Sequence, residues 1–222
     1  MKMVVERSLV IIKPDGTVRR QVSALTLNTF LENNLKVTAF KEFVVPREIA
    51  EKHYAVHRDK PFYGWLVDYI TSAPVVVLVL EGENAIQLIR ELAGATFVEK
   101  ASPDSLRGKY GIWKGLNVIH ASDSTETANF EINLWSTEAN LIVENADKLA
   151  KEYISKWINY NHDHTADLRK VIVSAYESKE VTAKDKDEIF KLLLDSAGDI
   201  DEKYVKNLTN SIVDLILSEI NK

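Results

Sequence analysis

The 222-residue chain contains no cysteine. That absence excludes a disulfide framework, a thiolate nucleophile and any zinc-ribbon or iron–sulfur site built on thiolates, and it suits a reducing compartment. No apolar run approaches the ~20 residues a membrane span requires, so no membrane partner is expected. Met1 to Arg7 is charged and lacks the apolar stretch of a secretory signal, which makes a cytoplasmic location the expectation. There is no basic excess either. A net charge of −5, with no basic stripe carrying interleaved aromatics, argues against specific nucleic-acid binding. Among nucleotide and hydrolase signatures, G-x-x-x-x-G-K-[ST], G-x-G-x-x-G after a strand, G-x-S-x-G and H-E-x-x-H are all missing. Any phosphate chemistry must therefore rest on scattered cationic side chains.

What is present falls into two units. All five prolines, and every glycine except Gly198, precede Trp135. Charge divides near the same place: residues 1–137 are balanced and residues 138–222 carry the whole net −5. We place the boundary at Ser136 to Asn140, giving a first unit over 1–137 and a helical extension of unassigned role over 138–222.

Within the first unit, Ser8 to Lys13 is a short β-branched run closed by Pro14-Asp15-Gly16, a strand followed by turn chemistry. Leu25, Leu27, Phe30 and Leu31 then recur at helical spacing. Lys36 to Val45 predicts a second strand, and helices are expected after Pro46 and from Pro61. Pro74 to Leu80 predicts a buried strand, and Ile86 to Leu92 a helix stopped at Gly94. Residues 95–116 follow neither period and are expected to form a long functional loop. Asn117 to His120 predicts a last strand before a helix at Thr125 to Leu134.

This order predicts an α/β fold of the α+β sandwich type: a ferredoxin-like antiparallel sheet with helices over it. The extension shows four amphipathic patterns, with breaks at Asn159 to Thr165, Ser178 to Thr182 and Asp195 to Asp199, and is expected to be all-α and to form a small bundle packed on the first unit or on a neighbouring subunit. His162-Asp163-His164 reads as a polar interhelix turn, with no third metal ligand in register.

Lys13 ends a strand, Arg90 lies on the helix before the long loop and Arg107 sits inside it, so the three could converge on an anion. Each alone is equally at home as a solvated charge. His120 ends an apolar strand and precedes the polar turn Ala121-Ser122-Asp123-Ser124, where an imidazole with an ordinary pKa near ~6.5 is mostly neutral and nucleophilic. An isolated histidine at a strand end can also be purely structural.

Taken together, Lys13-Pro14-Asp15-Gly16, His53-Tyr54, Pro61-Phe62, Arg90 with Thr96, Leu106-Arg107-Gly108 and Asn117-Val118-Ile119-His120-Ala121-Ser122-Asp123-Ser124 resemble the nucleoside diphosphate kinases over roughly residues 5–136. The resemblance implies a transferase that moves the γ-phosphate of a nucleoside triphosphate, typically ATP, to a nucleoside diphosphate. It implies a ping-pong path through phosphohistidine at His120. By that pattern Lys13, Tyr54 and Asn117 hold the transferring phosphate region, and Arg90, Thr96 and Arg107 bind the remaining phosphates. Glu131, supported by Ser122, orients His120. Phe62 and Leu66 sandwich the base, and stacking of this kind carries low base selectivity. Mg²⁺ is implied as a cofactor carried by the nucleotide's phosphates, with no protein metal ligands. A homo-oligomer, hexamer or tetramer, is implied as well.

Two departures stand out. Gly94-Ala95-Thr96-Phe97-Val98 replaces the family's G-E-T-N-P, and Ala121 replaces the usual glycine after the histidine, which needs a compatible backbone angle.

Overall fold

A computed structural model describes residues 4–222, so the start of the first expected unit, Met1 to Met3, lies outside the described residues. Four strands, β1 (Val5–Ile12), β2 (Lys36–Phe43), β3 (Val75–Glu83) and β4 (Ile119–Ala121), form one sheet in the order β2-β3-β1-β4 with every neighbouring pair antiparallel. Leu9, Val10, Ile11 and Ile12 are all fully buried, as are Val75 to Leu78. These central strands read as unbroken apolar runs because both faces of the sheet are covered.

On one face α2 (Arg20–Glu32), α5 (Ala85–Ala93) and α8 (Ala146–Trp157) pack on Val10, Ile12, Leu78 and Leu80. On the other, α3 (Arg47–His53), α4 (Tyr63–Ile70) and α7 (Thr125–Glu138) pack on Leu9, Ile11, Val77 and Val79. Strand periodicity thus sends alternate residues of β1 into two separate apolar layers. Local signals bound the helices. Asn34, at φ 61, closes α2, with Leu35 N–H returning to Phe30 O at 3.2 Å.

Three details differ from expectation. Pro14–Thr17, read as a turn, winds into one helical turn, α1. Val75–Glu83 continues through Gly82, and residues 95–116 contain a short helix, α6 (Leu106–Tyr110). Those five residues are too few to show helical periodicity. Ser105 announces them only by capping Gly108 N–H at 3.2 Å.

The four tail helices do not form one bundle. Ala146, Ala150, Tyr153, Ile154 and Trp157 place α8 in the main core beside α2 and β2. The other three, α9 (Thr165–Ser178), α10 (Ala183–Ser196) and α11 (Glu202–Ile220), share a second core that takes in Val18, Tyr69, Ile112, Trp113 and Leu116 of the sheet-bearing part. A capping box between Thr182 and Asp185 starts α10, and Gly198, at φ +58, turns the chain into α11 where any Cβ would meet the Trp157 ring at 2.6 Å.

Two adjacent arginines bind these parts together. Arg19 is fully buried and donates to Asp15 O at 2.7 Å, Tyr110 O at 2.7 Å and Thr165 Oγ1 at 2.5 Å. Arg20 reaches Glu42 Oε1 at 2.6 Å and Asp199 Oδ1 at 2.5 Å, with its guanidinium 5.0 Å from the Trp157 ring centre.

Candidate active site

His120 is set by the shortest strand. Ile119–Ala121 pairs with β1 in the register Ile11↔His120, and the backbone enters that strand through a γ-turn at Val118. Val118 has φ 70, and Ile119 N–H donates to Asn117 O at 2.8 Å. A β-branched residue in this region carries strain of roughly 1–3 kcal/mol. The surroundings enforce it. Val118 N–H donates to the buried Asp15 carboxylate at 3.1 Å, Lys13 N–H donates to Val118 O at 2.7 Å, and the Tyr69 hydroxyl donates to the other Asp15 oxygen. Gly16 lies so close that a Cβ would sit 2.8 Å from the Ile12 side chain and 3.0 Å from that of Val118. Asn117 to His120 is therefore not one strand: the first two residues form the turn that aims the third and fourth. Ala121 has no positive φ, so the departure from glycine is tolerated.

The His120 side chain is 23% exposed, and its Nε2 lies 2.9 Å from Glu131 Oε1. The second Glu131 oxygen accepts the Ser122 hydroxyl at 2.6 Å, and Ser122 Oγ accepts Leu9 N–H at 3.1 Å. Glu131 is buried in α7 rather than lying on a helix surface. A carboxylate beside Nε2 fixes the proton there and leaves Nδ1 with a free lone pair.

Two of the cations are tied to the segment that carries this ring. Lys13 is buried and donates to Asn117 Oδ1 at 2.6 Å, while Asn117 Nδ2 donates to Thr96 O at 2.6 Å. Burial, reinforced by the Arg107 charge and opposed by Asp15, lowers the Lys13 ammonium to about 8. Arg107 donates to Gly94 O at 2.8 Å and Ile119 O at 2.9 Å, and burial together with Arg90 lowers it to about 10. Arg90 and Thr96 are exposed, and Arg90 pairs with no carboxylate among the described residues. Positive groups that depress one another's basicity form a site short of negative charge.

Unpaired polar atoms point the same way. Of the five buried side-chain polar atoms without a partner among the described residues, three are His53 Nε2, Tyr54 Oη and Arg107 Nε. Buried polar groups are normally satisfied, so a cluster of orphans beside a cationic cleft is a demand for a polar ligand. Burial raises the Tyr54 hydroxyl above its ordinary range and keeps it protonated as a donor. Phe62, just before α4, is 47% exposed and so is free to stack, while Leu66 one turn on is half-buried.

His53, quoted beside Tyr54 for the resemblance, was given no role from the sequence. Its ring meets that of His120 edge-on at 4.6 Å, and its Nδ1 accepts the indole N–H of Trp135 at 3.2 Å. Burial and the neighbouring His120 and Lys13 charges hold it neutral, well below the ordinary histidine range. The surviving proton then sits on Nε2, one of the unpaired atoms. Helical spacing from Ile49 to His53 was the available signal, and it reads equally as core.

Nothing here forms a carboxylate cage for a hard cation. Glu131 is committed to His120 and Ser122, and Asp123 to the Thr127 hydroxyl at 2.6 Å. The donor set fits a divalent ion that arrives on a polyphosphate rather than one bound by the protein alone.

A sequence model of the nucleoside diphosphate kinase family matches residues 6–141. Among curated relatives, the chain is 44% identical over 149 residues to a nucleoside diphosphate kinase of Archaeoglobus fulgidus, covering 67% of this chain and 97% of that protein. It is 49% identical over 134 residues to one of Pyrococcus furiosus, covering 59% and 83%. Among solved structures it is similar to the Aquifex aeolicus nucleoside diphosphate kinase, with TM-score 0.58 and 39% identity over 63% of this chain and 100% of that one. It is also similar to a halophilic nucleoside diphosphate kinase of Halobacterium salinarum in complex with CDP, with TM-score 0.59 and 37% identity over 68% and 99%.

Proposed function

Since the chain belongs to the nucleoside diphosphate kinase family and is a phosphotransferase of that kind, we propose that its phosphoryl exchange runs through Nδ1 of His120. The lone pair on Nδ1 attacks the γ-phosphorus of a nucleoside triphosphate. An N–P bond forms, the bond to the β-phosphate oxygen breaks, and the diphosphate leaves. A terminal oxygen of the incoming nucleoside diphosphate then attacks the same phosphorus and regenerates the imidazole. Glu131 accepts a hydrogen bond from Nε2–H throughout and stabilises the positive charge that builds on the ring.

In this reading Lys13, Asn117 and Tyr54 hold the transferring group, and Arg90, Thr96 and Arg107 hold the other phosphates. Little covalent work falls to the protein beyond placement and charge. Phe62 and Leu66 take the base between them and read its face rather than its edge, which favours broad base acceptance. Mg²⁺ enters on the nucleotide and, when bound, neutralises phosphate charge. A homo-oligomer, hexamer or tetramer, is part of the same proposal. Ile142 and Val143, 44% and 67% exposed beside β2, offer apolar surface for it. So is a cytoplasmic location; no helix of the described residues is long and apolar enough to cross a membrane.

The observation that carries the reading is the His120–Glu131–Ser122 chain of hydrogen bonds, which presents one free imidazole nitrogen to a cationic cleft. The test is transfer from ATP to a second nucleoside diphosphate together with acid-labile labelling of the protein. Label on wild type and none on His120→Ala supports it. An active but unlabelled wild type, or label persisting in His120→Ala, overturns it.

A further inference from the structure

The turn between α8 and α9 carries His162 and His164, which the sequence leaves without a third partner. The fold supplies one. Asp195, near the end of α10 and more than thirty positions further along the chain, places Oδ2 at 2.7 Å from His162 Nδ1 and 2.7 Å from His164 Nε2. Two imidazole nitrogens and one carboxylate oxygen thus converge from two separate segments, all within 4.8 Å of one another. The side chains are 43%, 26% and 52% exposed, so the point they share opens to solvent.

We propose that His162, His164 and Asp195 form a surface site for a borderline divalent transition-metal ion, with Zn²⁺ the representative occupant. Imidazole with a single carboxylate is the donor set of zinc, nickel, cobalt or copper, and it disfavours Mg²⁺, which prefers all-oxygen shells. Tetrahedral zinc with ligands at about 2.0–2.1 Å separates its donors by roughly 3.3 Å. Closing around a metal therefore asks Asp195 Oδ2 to part from each imidazole nitrogen by several tenths of an ångström, which exposed side chains on a turn and a helix end can do. Asp167 adds an outer contact. Its Oδ2 lies 3.6 Å from His164 Nδ1, on the side of the ring away from Asp195. At that distance the carboxylate acts through its charge rather than through a hydrogen bond, favouring a cation on the far side of the ring. The three protein ligands leave the remaining coordination positions to water.

Such an ion would staple the end of α10 to the turn whose next residues, Asp163 and Thr165, face Arg19. The site shares no residue with those assigned to phosphoryl transfer and does not depend on that assignment.

The test is calorimetric titration of the metal-free full chain with Zn²⁺ in millimolar Mg²⁺, with Co²⁺ absorption as a second readout. One equivalent bound in the micromolar range is expected, with Co²⁺ bands typical of nitrogen and oxygen ligands and a higher Tm. His162→Gln/His164→Gln should abolish that equivalent, and Asp167→Asn should weaken it by about two- to five-fold. Kinase activity in Mg²⁺ should remain at the wild-type level in both variants, which also shows that they fold. Absence of saturable binding, or full binding retained in the double variant, overturns the proposal. The second result would put the ion at the other histidine and carboxylate group, His53, His120 and Glu131.

Discussion

Arg169 on α9 touches no residue assigned to chemistry, yet its replacement should weaken nucleotide use. Its Nε donates to Gly111 O at 2.7 Å and one terminal nitrogen donates to Gly108 O at 2.7 Å, with a longer approach to Lys109 O at 3.4 Å. These carbonyls end α6, where the helix dipole is negative and a cation is favourable. The same five-residue helix carries Arg107. A hydrogen bond from a charged donor contributes about 1.5–3 kcal/mol when shielded. Arg169 is half-buried, so the lower part of that range applies to the fork as a whole, about 1.5 kcal/mol. If the energy is spent keeping residues 95–116 in the binding conformation, Arg169→Ala should raise KM for both nucleotides by about tenfold. The rate constant kcat should change little, because His120, Glu131 and Lys13 stay in place. Steady-state kinetics with both nucleotides varied, beside a thermal melt, decides this. Arg169→Lys keeps the charge but loses the fork and should fall between. A lower Tm with unchanged KM would refute the reasoning and leave Arg169 a purely structural clasp.

Three further outcomes follow from the geometry. Because the Lys13 ammonium is lowered to about 8, kcat/KM should fall as pH rises through that value, by about tenfold per unit once the charge is lost; a flat profile to pH 9 would contradict it. Stability moves the other way: between about pH 8 and the unfolded value near 10.5 the unfolded chain binds a proton that folded Lys13 has released, so this group makes folding more favourable as pH rises through that window. At Val118, with φ 70, glycine should be the better of two truncations: Val118→Gly should melt higher than Val118→Ala by about 1 kcal/mol, inverting the usual order, and urea titration of the pair checks it. Ending the chain after Tyr160 keeps α8 but uncovers Val18, Tyr69, Ile112, Trp113 and Leu116; light scattering should show association and the melt should drop, whereas a monodisperse product of unchanged Tm would exclude a packing role for α9 to α11.

The parts legible in the sequence were those in which neighbours along the chain carry the signal. Leu9 to Ile12 and Val75 to Leu80 are continuous apolar runs, and they are the two central strands. The partnership of Glu131 with His120 was implied only by the family resemblance, since a glutamate on a helix by itself reads as solvent-facing surface. Other features arise from distant segments meeting. The left-handed turn at Val118 is imposed by Asp15 and Lys13 from more than a hundred positions away, and a valine gives no hint of it. Asp195 reaches two histidines in another interhelix segment. The amphipathic stripe of α8 looks like those of α9 to α11, so composition could not reveal that it belongs to the sheet's core. Glycine and proline frequency drops before that helix begins, and for this reason the compositional border and the packing border do not coincide.

Arg19 and Arg20 give the extension a structural weight. Side by side in the chain, one is wrapped by Asp15, Tyr110 and Thr165 and the other by Glu42 and Asp199. Removing α9 to α11 would take Thr165 from Arg19 and Asp199 from Arg20 and leave each with only part of its partner set, Asp15 and Tyr110 for the one and Glu42 for the other. A shorter chain would have to fill those two vacated places with water or with other side chains. Two neighbouring side chains thus let the tail report directly on how the first turn of α2 is held.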